Sequence, residues 1–364
     1  MTRMASATWT KWTIARLRIG DAGGRRTFSP ARGIAIAIAK WGEDLAWNCA
    51  QFLKGFYYGY EATRDPKWVR MLVEWTDAWI ARAVMEPDGY PGWPKVGAAG
   101  TPVDRLDDLY ADSLLGEAMA LLPVMRMSRE ILLDSELKAT FGGRAEAYIE
   151  LSRKLFDKWD RRGAWRQADN VGIISVVLPF GIDQSTGGWT SGYLSRNAPG
   201  HGHSHPDNKA NWVGSWLLSM YGATGENAYK EKAEGWFRLM KSRIHLEEDG
   251  TYRIWNYWEP AGPWDYVSPG VLKHWIGVHP NGGYYDSDVR AIVTAYEALL
   301  VFDRVDIDRL VATAVKTKRY WSALVPYSRV VQREFEEHED PDSWPGLWET
   351  PWYLAVQAGR LPAR

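Results

Sequence analysis

One helical hairpin occurs twice in this sequence, and that repeat constrains the fold more than any other feature. The first copy turns at Thr63 and the second at Thr224, with the same spacing to a tryptophan further along. In each copy a helix ends, a short turn supplies a threonine or acidic cap, and a second helix opens with an aromatic residue that packs back on its partner. We therefore expect four aromatic side chains to lie between helices: Trp68 and Trp75 in the first copy, and Tyr229 and Trp236 in the second.

Helical periodicity extends along most of the chain. Alternating patterns typical of strands are brief, and the best candidates are residues 172–178 and 252–258. Helices are predicted over residues 33–60, 66–84, 104–127, 143–159, 208–221, 228–244, 287–302 and 306–324.

These hairpins predict an all-α fold. No low-complexity or linker-like stretch divides the chain, so we expect a single domain over residues 1–364. Hairpins repeated over this length can close into a ring of inner and outer helices, an (α/α) toroid with long loops and minor short β-strands. An open helical solenoid is the alternative. The long irregular loops at 87–102 and 178–206 favour the toroid, because its loops build one cleft.

Charge and composition narrow the possible partners. Lys and Arg number 44 against 45 Asp and Glu, so no global field favours nucleic acid or an anionic membrane. The single cysteine, Cys49, lies in an apolar helical run and is expected to be a small buried hydrophobe. Residues 34–39 are too short to cross a bilayer, and the N-terminus lacks a signal-peptide pattern. The chain is expected to be cytoplasmic, or secreted with a leader removed; its oligomeric state stays open.

Aromatic residues point to carbohydrate. The chain has 22 tryptophans and 18 tyrosines, and many of the tryptophans fall among Gly, Pro, Asp and Asn. An indole in a loop offers a flat apolar face with one polar edge, which suits the C–H faces of a pyranose ring. The alternative is that these rings fill space between helix layers. The predicted sugar-contacting set is Trp93, Trp189, Trp212, Trp258, Trp264 and Tyr284.

Polar and ionisable residues cluster at two junctions between a loop and a helix. The first, residues 200–212, contains His205 and Asn208 at the start of a helix, where Asn208 can aim its amide into a cleft or serve only as a cap. His201, His203 and His205 alternate and could bind zinc, but no fourth ligand is evident, so no metal is predicted.

The second junction, residues 275–296, gathers His279, Tyr284, Tyr285, Arg290 and Tyr296 in a glycine-rich setting. Histidine and tyrosine can move a proton at carbon, and arginine can hold a carboxylate at two points. Each residue also has a structural interpretation, as a cap, a core residue or an ion-pair partner.

Three segments carry a resemblance to a known family. Asn-Lys-Ala-Asn-Trp at 208–212, Trp-Asn-Tyr-Trp-Glu-Pro at 255–260 and His-Pro-Asn-Gly-Gly-Tyr-Tyr at 279–285 resemble toroidal polysaccharide lyases of the glucuronan and alginate lyase type, over about residues 193–300. The resemblance implies β-elimination on an acidic polysaccharide or oligosaccharide without a cofactor. It implies these catalytic residues: Asn208, His205 and Arg290 to neutralise the carboxylate, Tyr285 or Tyr296 as base and acid with Tyr284 as the third candidate, and His279 to assist.

Other functions stay open beside the lyase. An inverting glycoside hydrolase on the same toroid would need two carboxylates, for which Asp112 with Glu259 or Asp286 are candidates. A uronate C5-epimerase shares the proton-abstraction step. A non-catalytic protein that only binds oligosaccharide is the remaining alternative.

Overall fold

The computed structural model describes residues 42–96, 109–176, 179–181, 201–341 and 343–361, and these are predominantly helical. Its α-helices are α1 (Ala50–Thr63), α2 (Pro66–Ile80), α3 (Leu114–Leu133), α4 (Ser135–Arg161), α5 (Asp207–Thr224), α6 (Asn227–Ser242), α7 (Gly283–Glu297), α8 (Arg304–Thr317), α9 (Arg329–His338) and α10 (Gly346–Gln357). A π-helical turn, Leu45–Cys49, leads into α1, and 3-10 turns occupy Pro263–Asp265 and Ser322–Tyr327.

The helices form the predicted (α/α) toroid. Helix α10 packs along α1, and α1, α3, α5 and α7 follow one another as an inner ring. The 3-10 turn Ser322–Tyr327 packs beside α7, and Arg290 of α7 lies over the rings of Trp348 and Trp352 of α10, which closes the ring. Helices α2, α4 and α6 pack outside α1, α3 and α5, and α9 packs against the 3-10 turn.

The two repeated turns have the same hydrogen bonds. The Thr63 hydroxyl donates to the carbonyl of Gly59 and accepts from the amide of Asp65, and Thr224 makes the same two contacts with Met220 and Glu226. Each first helix ends with the next residue in the left-handed conformation, Arg64 at φ 55° and Gly225 at φ 74°. The predicted αα-hairpin is therefore confirmed in both copies.

The aromatic residues of the repeat are confirmed as core. Trp68, Trp75, Tyr229 and Trp236 are all buried between helices. Gly59 shows how tightly the first hairpin packs, because a Cβ atom there would meet the Trp68 ring at 2.7 Å. Cys49 is also buried, as expected, and burial raises the pKa of its thiol to about 12.

The strands are short and antiparallel. Val84–Met85 (β1) pairs with Pro91–Gly92 (β2), Trp165–Gln167 (β5) with Val171–Ile173 (β6), and Tyr266–Ser268 (β8) with Val271–Leu272 (β9). Leu109–Ala111 (β4) lies between Lys95–Val96 (β3) and Pro179–Gly181 (β7). These sheets have only two or three short strands each, and they do not form a separate layer of the described fold.

Some boundaries differ from those predicted. The strand expected at 172–178 is present only as β6, and the one expected at 252–258 is reduced to a single bridge between Tyr252 and Leu246. The helix expected at 104–127 begins at Leu114, where the side chain of Ser113 accepts from the amide of Gly116. In the part of the chain that the structure describes, no helix has the length and apolarity to span a membrane.

Candidate functional site

A cavity of about 830 Å³ lies at the end of the toroid where the inner helices begin. Its walls come from the N-terminal parts of α1, α3, α5, α7 and α10, the start of the 3-10 turn at Ser322, and the second half of α9 with the segment that follows it. Helix N-termini carry unpaired amide groups and a partial positive charge, so this end of the ring suits polar and anionic groups. The lining side chains include Lys54, Met119, Trp212, Asp286, Ser322, Trp348 and Glu349.

Tryptophan rings supply much of the apolar wall. Trp47, Trp212, Trp344 and Trp348 all line the cavity. The indole nitrogen of Trp212 is buried and has no hydrogen-bond partner among the described residues. Flat rings with polar edges are the surfaces that sugars contact, so the Trp212 prediction agrees with the position of this residue at the cavity.

Two carboxylates and an arginine meet at one serine hydroxyl in the cavity wall. The Ser322 oxygen lies 3.2 Å from Asp286 Oδ1 and 2.9 Å from Glu349 Oε1. Arg290 donates to the same oxygen at 2.6 Å, and its guanidinium lies 3.5 Å from Glu349. Asp286 and Glu349 both face the cavity, whereas Arg290 is packed behind them over Trp348.

The hydrogen bonds at Ser322 indicate where a proton resides. A hydroxyl has one hydrogen to donate and two lone pairs to accept with. If Ser322 donates to Asp286 and accepts from Arg290, its remaining lone pair can accept a hydrogen bond from Glu349 only when that carboxyl group carries a proton. Burial, and next the charge of Asp286, raise the pKa of Glu349, which favours the same assignment.

Lys54 is a buried cation beside this group. Its Nζ lies 3.8 Å from the centre of the Trp212 ring and 4.8 Å from that of Trp348, and it donates to Gln51 Oε1 at 3.3 Å. Burial, with Arg290 as the next cause, holds the pKa of Lys54 well below its ordinary value. Lysine is rarely buried without an acidic partner, so this position is unusual.

The residues predicted at the start of α5 are buried away from the cavity wall. Within the described part of the chain, His205 Nε2 and Asn208 Oδ1 have no hydrogen-bond partner, and neither residue lines the cavity. Burial lowers the pKa of His205 well below its ordinary value, with the charge of Lys209 as the next cause, so its imidazole is neutral. A neutral imidazole cannot offset a substrate carboxylate by charge.

Asp207, the neighbour of Asn208, is also buried. Asp207 is the first residue of α5, and its carboxylate pairs with Arg243.

The predicted loop around His279 forms an aromatic cluster at the surface. Tyr257 stacks on Trp275 and Tyr284 with ring centres 5.5 and 5.4 Å apart, and the His279 ring lies 4.8 Å from Tyr257. Tyr284 follows Gly283, which lines the cavity, so this cluster is continuous with the cavity edge. Tyr284 is half-buried and Trp275 is 46% exposed, and both present ring surface to solvent.

The two tyrosines predicted as base do not reach the cavity. The Tyr285 hydroxyl is buried, donating to the carbonyl of Trp255 and accepting from the amide of His279. Burial raises the pKa of Tyr285, which disfavours a phenolate. Tyr296 lies at the opposite end of α7 from the cavity and packs edge-on against Tyr327.

Two of the predicted sugar-contacting tryptophans are core residues. Trp93 stacks on Trp79 and donates to its carbonyl, and Trp258 donates to the carbonyl of Ser204; both have no exposed surface. Each sits in a loop, as its neighbours indicated, but the ring turns inward to reach a backbone acceptor.

Trp264 and Trp189 are the remaining tryptophans of that set. Trp264 is half-buried against the core and donates to the Ser204 hydroxyl. Trp189 lies outside the described residues.

Two of the three carboxylates considered for hydrolysis are engaged elsewhere. Asp112 belongs to a buried cluster in which Lys158 bridges it to Glu117 at 2.5 Å each, and Arg162 adds a second cation. Those cations hold the pKa of Asp112 at about 2, although its burial acts in the opposite direction. The Glu259 carboxylate accepts from Asn256 and does not line the cavity. Asp286 alone of the three lies at the cavity.

The alternating histidines do not converge on one point. His205 is buried, whereas the His203 ring stacks at 6.0 Å on that of His274. Within the described ranges, the group with metal-ligand spacing is Glu334, Glu337 and His338 on α9, and His338 already contacts Glu334.

Sequence reasoning missed Lys54, Ser322, Trp348 and Glu349. The available signal was a lone charge in an apolar helix: Lys54 between Leu53 and Phe56, and Glu349 in a segment otherwise rich in Trp, Leu and Tyr. A charged residue at such a position is buried, and a buried charge requires a partner or a function.

Comparisons with known proteins give structural neighbours at low similarity. No family model and no curated protein matches this sequence. The α-1,6-mannanase GH76A of Salegentibacter sp. superposes with a TM-score of 0.47 and 12% identity, over 87% of this chain and 89% of its own. A family 76 glycoside hydrolase from a bovine Bacteroides thetaiotaomicron strain gives 0.45 and 12%, over 87% and 57%. Cellobiose 2-epimerase from Spirochaeta thermophila gives 0.42 and 15%, over 86% and 74%. At these values the substrate and chemistry must be argued from this chain's own side chains.

Proposed function

We propose that this protein is a glycoside hydrolase that cleaves a saccharide bound in the cavity of the toroid. One observation carries the proposal: Asp286 and Glu349 meet at the Ser322 hydroxyl in the wall of a cavity lined by four tryptophans. Tryptophan faces bind pyranose rings, and two neighbouring carboxyl groups with different protonation states are what glycosidic cleavage requires.

Glu349 is assigned as the general acid. Burial raises the pKa of Glu349 and so favours its protonated form, and that proton passes to the glycosidic oxygen as the C–O bond breaks. Asp286 is assigned as the carboxylate that faces the anomeric carbon. Arg290 stays behind the pair, where it donates to Ser322 and limits repulsion between the two acids.

The separation of the pair favours retention of anomeric configuration. Retaining enzymes place their carboxyl groups roughly 5–5.5 Å apart, whereas inverting enzymes need roughly 6.5–9.5 Å to admit a water molecule. Asp286 and Glu349 both lie within hydrogen-bond distance of one Ser322 oxygen atom, which favours the shorter, retaining spacing. We therefore assign Asp286 as nucleophile, in place of the inverting mechanism considered from the sequence.

The lyase interpretation receives less support from the geometry. Elimination, as inferred from the sequence, uses a tyrosine beside the cation that neutralises the uronate. The hydroxyl of Tyr285 is committed to two backbone groups, and Tyr296 lies at the far end of α7. His205 and Asn208, for their part, lie outside the cavity wall.

Glu349→Gln and Asp286→Asn test the assignment. Each variant keeps the size of its side chain, so we expect normal folding and a loss of turnover of roughly 10²–10⁴-fold, typical of a missing acid or nucleophile. The assay follows release of reducing ends from a panel of neutral and acidic polysaccharides, with absorbance recorded for unsaturated products. Proton NMR during the first turnovers should show a product with the anomeric configuration of the substrate.

Glu337→Gln is the matched control, because Glu337 is exposed on α9 near the cavity but does not line it. It should keep full activity. Full activity in both the Glu349 and Asp286 variants would refute the assignment. An unsaturated product would instead return the function to a lyase.

A further inference from the structure

Lys54 has more hydrogen-bonding capacity than the protein uses. It is only 3% exposed, yet Gln51 is its one hydrogen-bond acceptor among the described residues, and none of their ion pairs includes it. An ammonium group has three N–H donors. Two of the three donors of Lys54 therefore have no acceptor among the described residues. Burying a cation without an anionic partner is costly, and that cost is offset when a ligand supplies the anion.

The surroundings of Lys54 fix where that ligand would be. The amine is held between Trp212 and Trp348, whose rings also line the cavity. A cation between two indole faces is attracted to both, which restricts it to one position. Lys54 also lines the cavity, so a substituent of a saccharide bound there is within reach of the amine.

Arg290 and the helix ends add to the positive potential at this point. The Arg290 guanidinium lies 4.3 Å from the Trp348 ring, and the charges of Arg290 and Arg126 both lower the pKa of Lys54. The inner helices also direct their N-termini to this end of the ring. Asp286 and Glu349 partly offset this potential, but neither forms an ion pair with Lys54.

We propose that Lys54 binds an anionic substituent of the saccharide, the carboxylate of a uronic acid, and so selects acidic over neutral substrates. This inference rests on the proposed function for the position of the sugar, but it concerns binding and not bond cleavage. A sulfate ester offers the same anionic oxygens and is distinguished below by experiment.

Binding of such a group has a consequence for protonation. A carboxylate beside the amine favours the charged form of lysine, so the pKa of Lys54 rises when the ligand binds. A fraction of a proton is therefore taken up from solution, and affinity falls as pH rises.

Calorimetry with Lys54→Met tests the proposal. Methionine keeps an unbranched apolar chain between the two tryptophans, so folding should persist, and the thermal midpoint checks this. The probes are oligomers of glucuronic acid, the same oligomers after reduction of the carboxyl group, and a sulfated neutral oligomer. We expect the wild type to bind the acidic oligomer at least tenfold more tightly than the reduced one, and Lys54→Met to lose that preference.

Titration of the wild type in two buffers of different ionisation enthalpy should show proton uptake with the acidic probe and none with the reduced one. Lys318→Met is the control for general electrostatics, since Lys318 is exposed at the rim of the same cavity and its charge is screened by solvent. It should change the preference less than twofold.

Equal binding of acidic and reduced oligomers, or an equal loss of both in Lys54→Met, would overturn the inference. Tighter binding of the sulfated oligomer than of the carboxylated one would overturn the choice of carboxylate. All titrations are repeated in Glu349→Gln, in which turnover is expected to be strongly slowed. Anion selectivity in a protein with no hydrolytic activity would leave this inference standing while the proposed function fails.

Discussion

Ser322 is the side chain on which the candidate site depends most. Its hydroxyl contacts Asp286, Glu349 and Arg290, and its amide also donates to Asp286 at 3.3 Å. None of these contacts could be read from the sequence, because Ser322 lies in a short 3-10 turn after α8, more than twenty residues from either acid. A serine in a turn has no pattern that separates it from an ordinary surface serine.

Replacing Ser322 with alanine should lower activity because the two acids are no longer held in place, and not because substrate binding is weakened. Without the hydroxyl, Asp286 and Glu349 lose the atom that orients both, so kcat should fall about tenfold while KM changes little. Ser322→Thr keeps the hydroxyl and should restore most of the rate. Steady-state kinetics provide the measurement, with Ser242→Ala, a hydroxyl on α6 that donates only to a backbone carbonyl, as the control. A rise in KM at constant kcat would show that Ser322 contacts substrate instead.

Tryptophan environments were harder to predict than tryptophan positions. The Gly and Pro residues around Trp93 and Trp258 correctly placed both in loops, but exposure depends on where the ring turns. Each indole N–H reached a backbone carbonyl, of Trp79 or of Ser204, and that bond drew the ring into the core. Both rings are therefore buried, where they were expected to face a sugar.

At the level of the helical hairpin the sequence was more informative, because capping is local. Thr63 and Thr224 each bond to residues within four positions, so a short segment contains the whole signal. The inner helix α10, by contrast, contributes two of the key residues and was not predicted, since its Trp348 and Glu349 stand in an apolar segment with Pro351 inside it. Proline within a helix masks the usual periodicity.

The two turns provide a matched test of the hairpin. Thr63→Ala removes two local hydrogen bonds and also the acceptor for the Trp68 indole N–H, whereas Thr224→Ala removes the two local bonds only. We expect the Thr224 variant to lose about 1 kcal/mol of unfolding free energy, and the Thr63 variant about 1–2 kcal/mol more, because its third partner is buried. Urea denaturation of both variants measures the difference. Equal losses would mean that the Trp68 bond contributes nothing net.

The toroid as a whole explains why scattered residues meet. Lys54, Trp212, Asp286 and Glu349 come from four inner helices, yet each lies in the first part of its helix, and a ring of parallel inner helices brings those parts to one end. The sequence predicted the ring, but which faces of the helices turn inward depends on packing between all of them. That is why the fold was predicted and most of the cavity wall was not.

Buried acids also link the stability of the ring to pH. Asp288 of α7 accepts from Asn211 of α5 and from the Trp255 indole, and Asp207 pairs with Arg243 at the end of α6. Burial, followed by the charge of Asp207, raises the pKa of Asp288 to about 8, and burial raises that of Asp207 to about 7. An unfolded aspartate titrates near about 3.9, so the folded protein holds protons that the unfolded chain releases.

The sign of the effect follows from these raised pKa values. The stabilising contribution of Asp288 is fully present below about pH 4 and is lost as pH rises through about 8, so unfolding free energy should fall over that window. Asp288→Asn removes the titrating group, and its unfolding free energy should fall less steeply between pH 5 and 8.5 than that of the wild type. Guanidinium denaturation at several pH values measures both slopes. Asp308→Asn is the control, because Asp308 is exposed on α8, and it should keep the wild-type slope. If the slope of Asp288→Asn also equals that of the wild type, Asp288 is ionised in the folded protein at all these pH values.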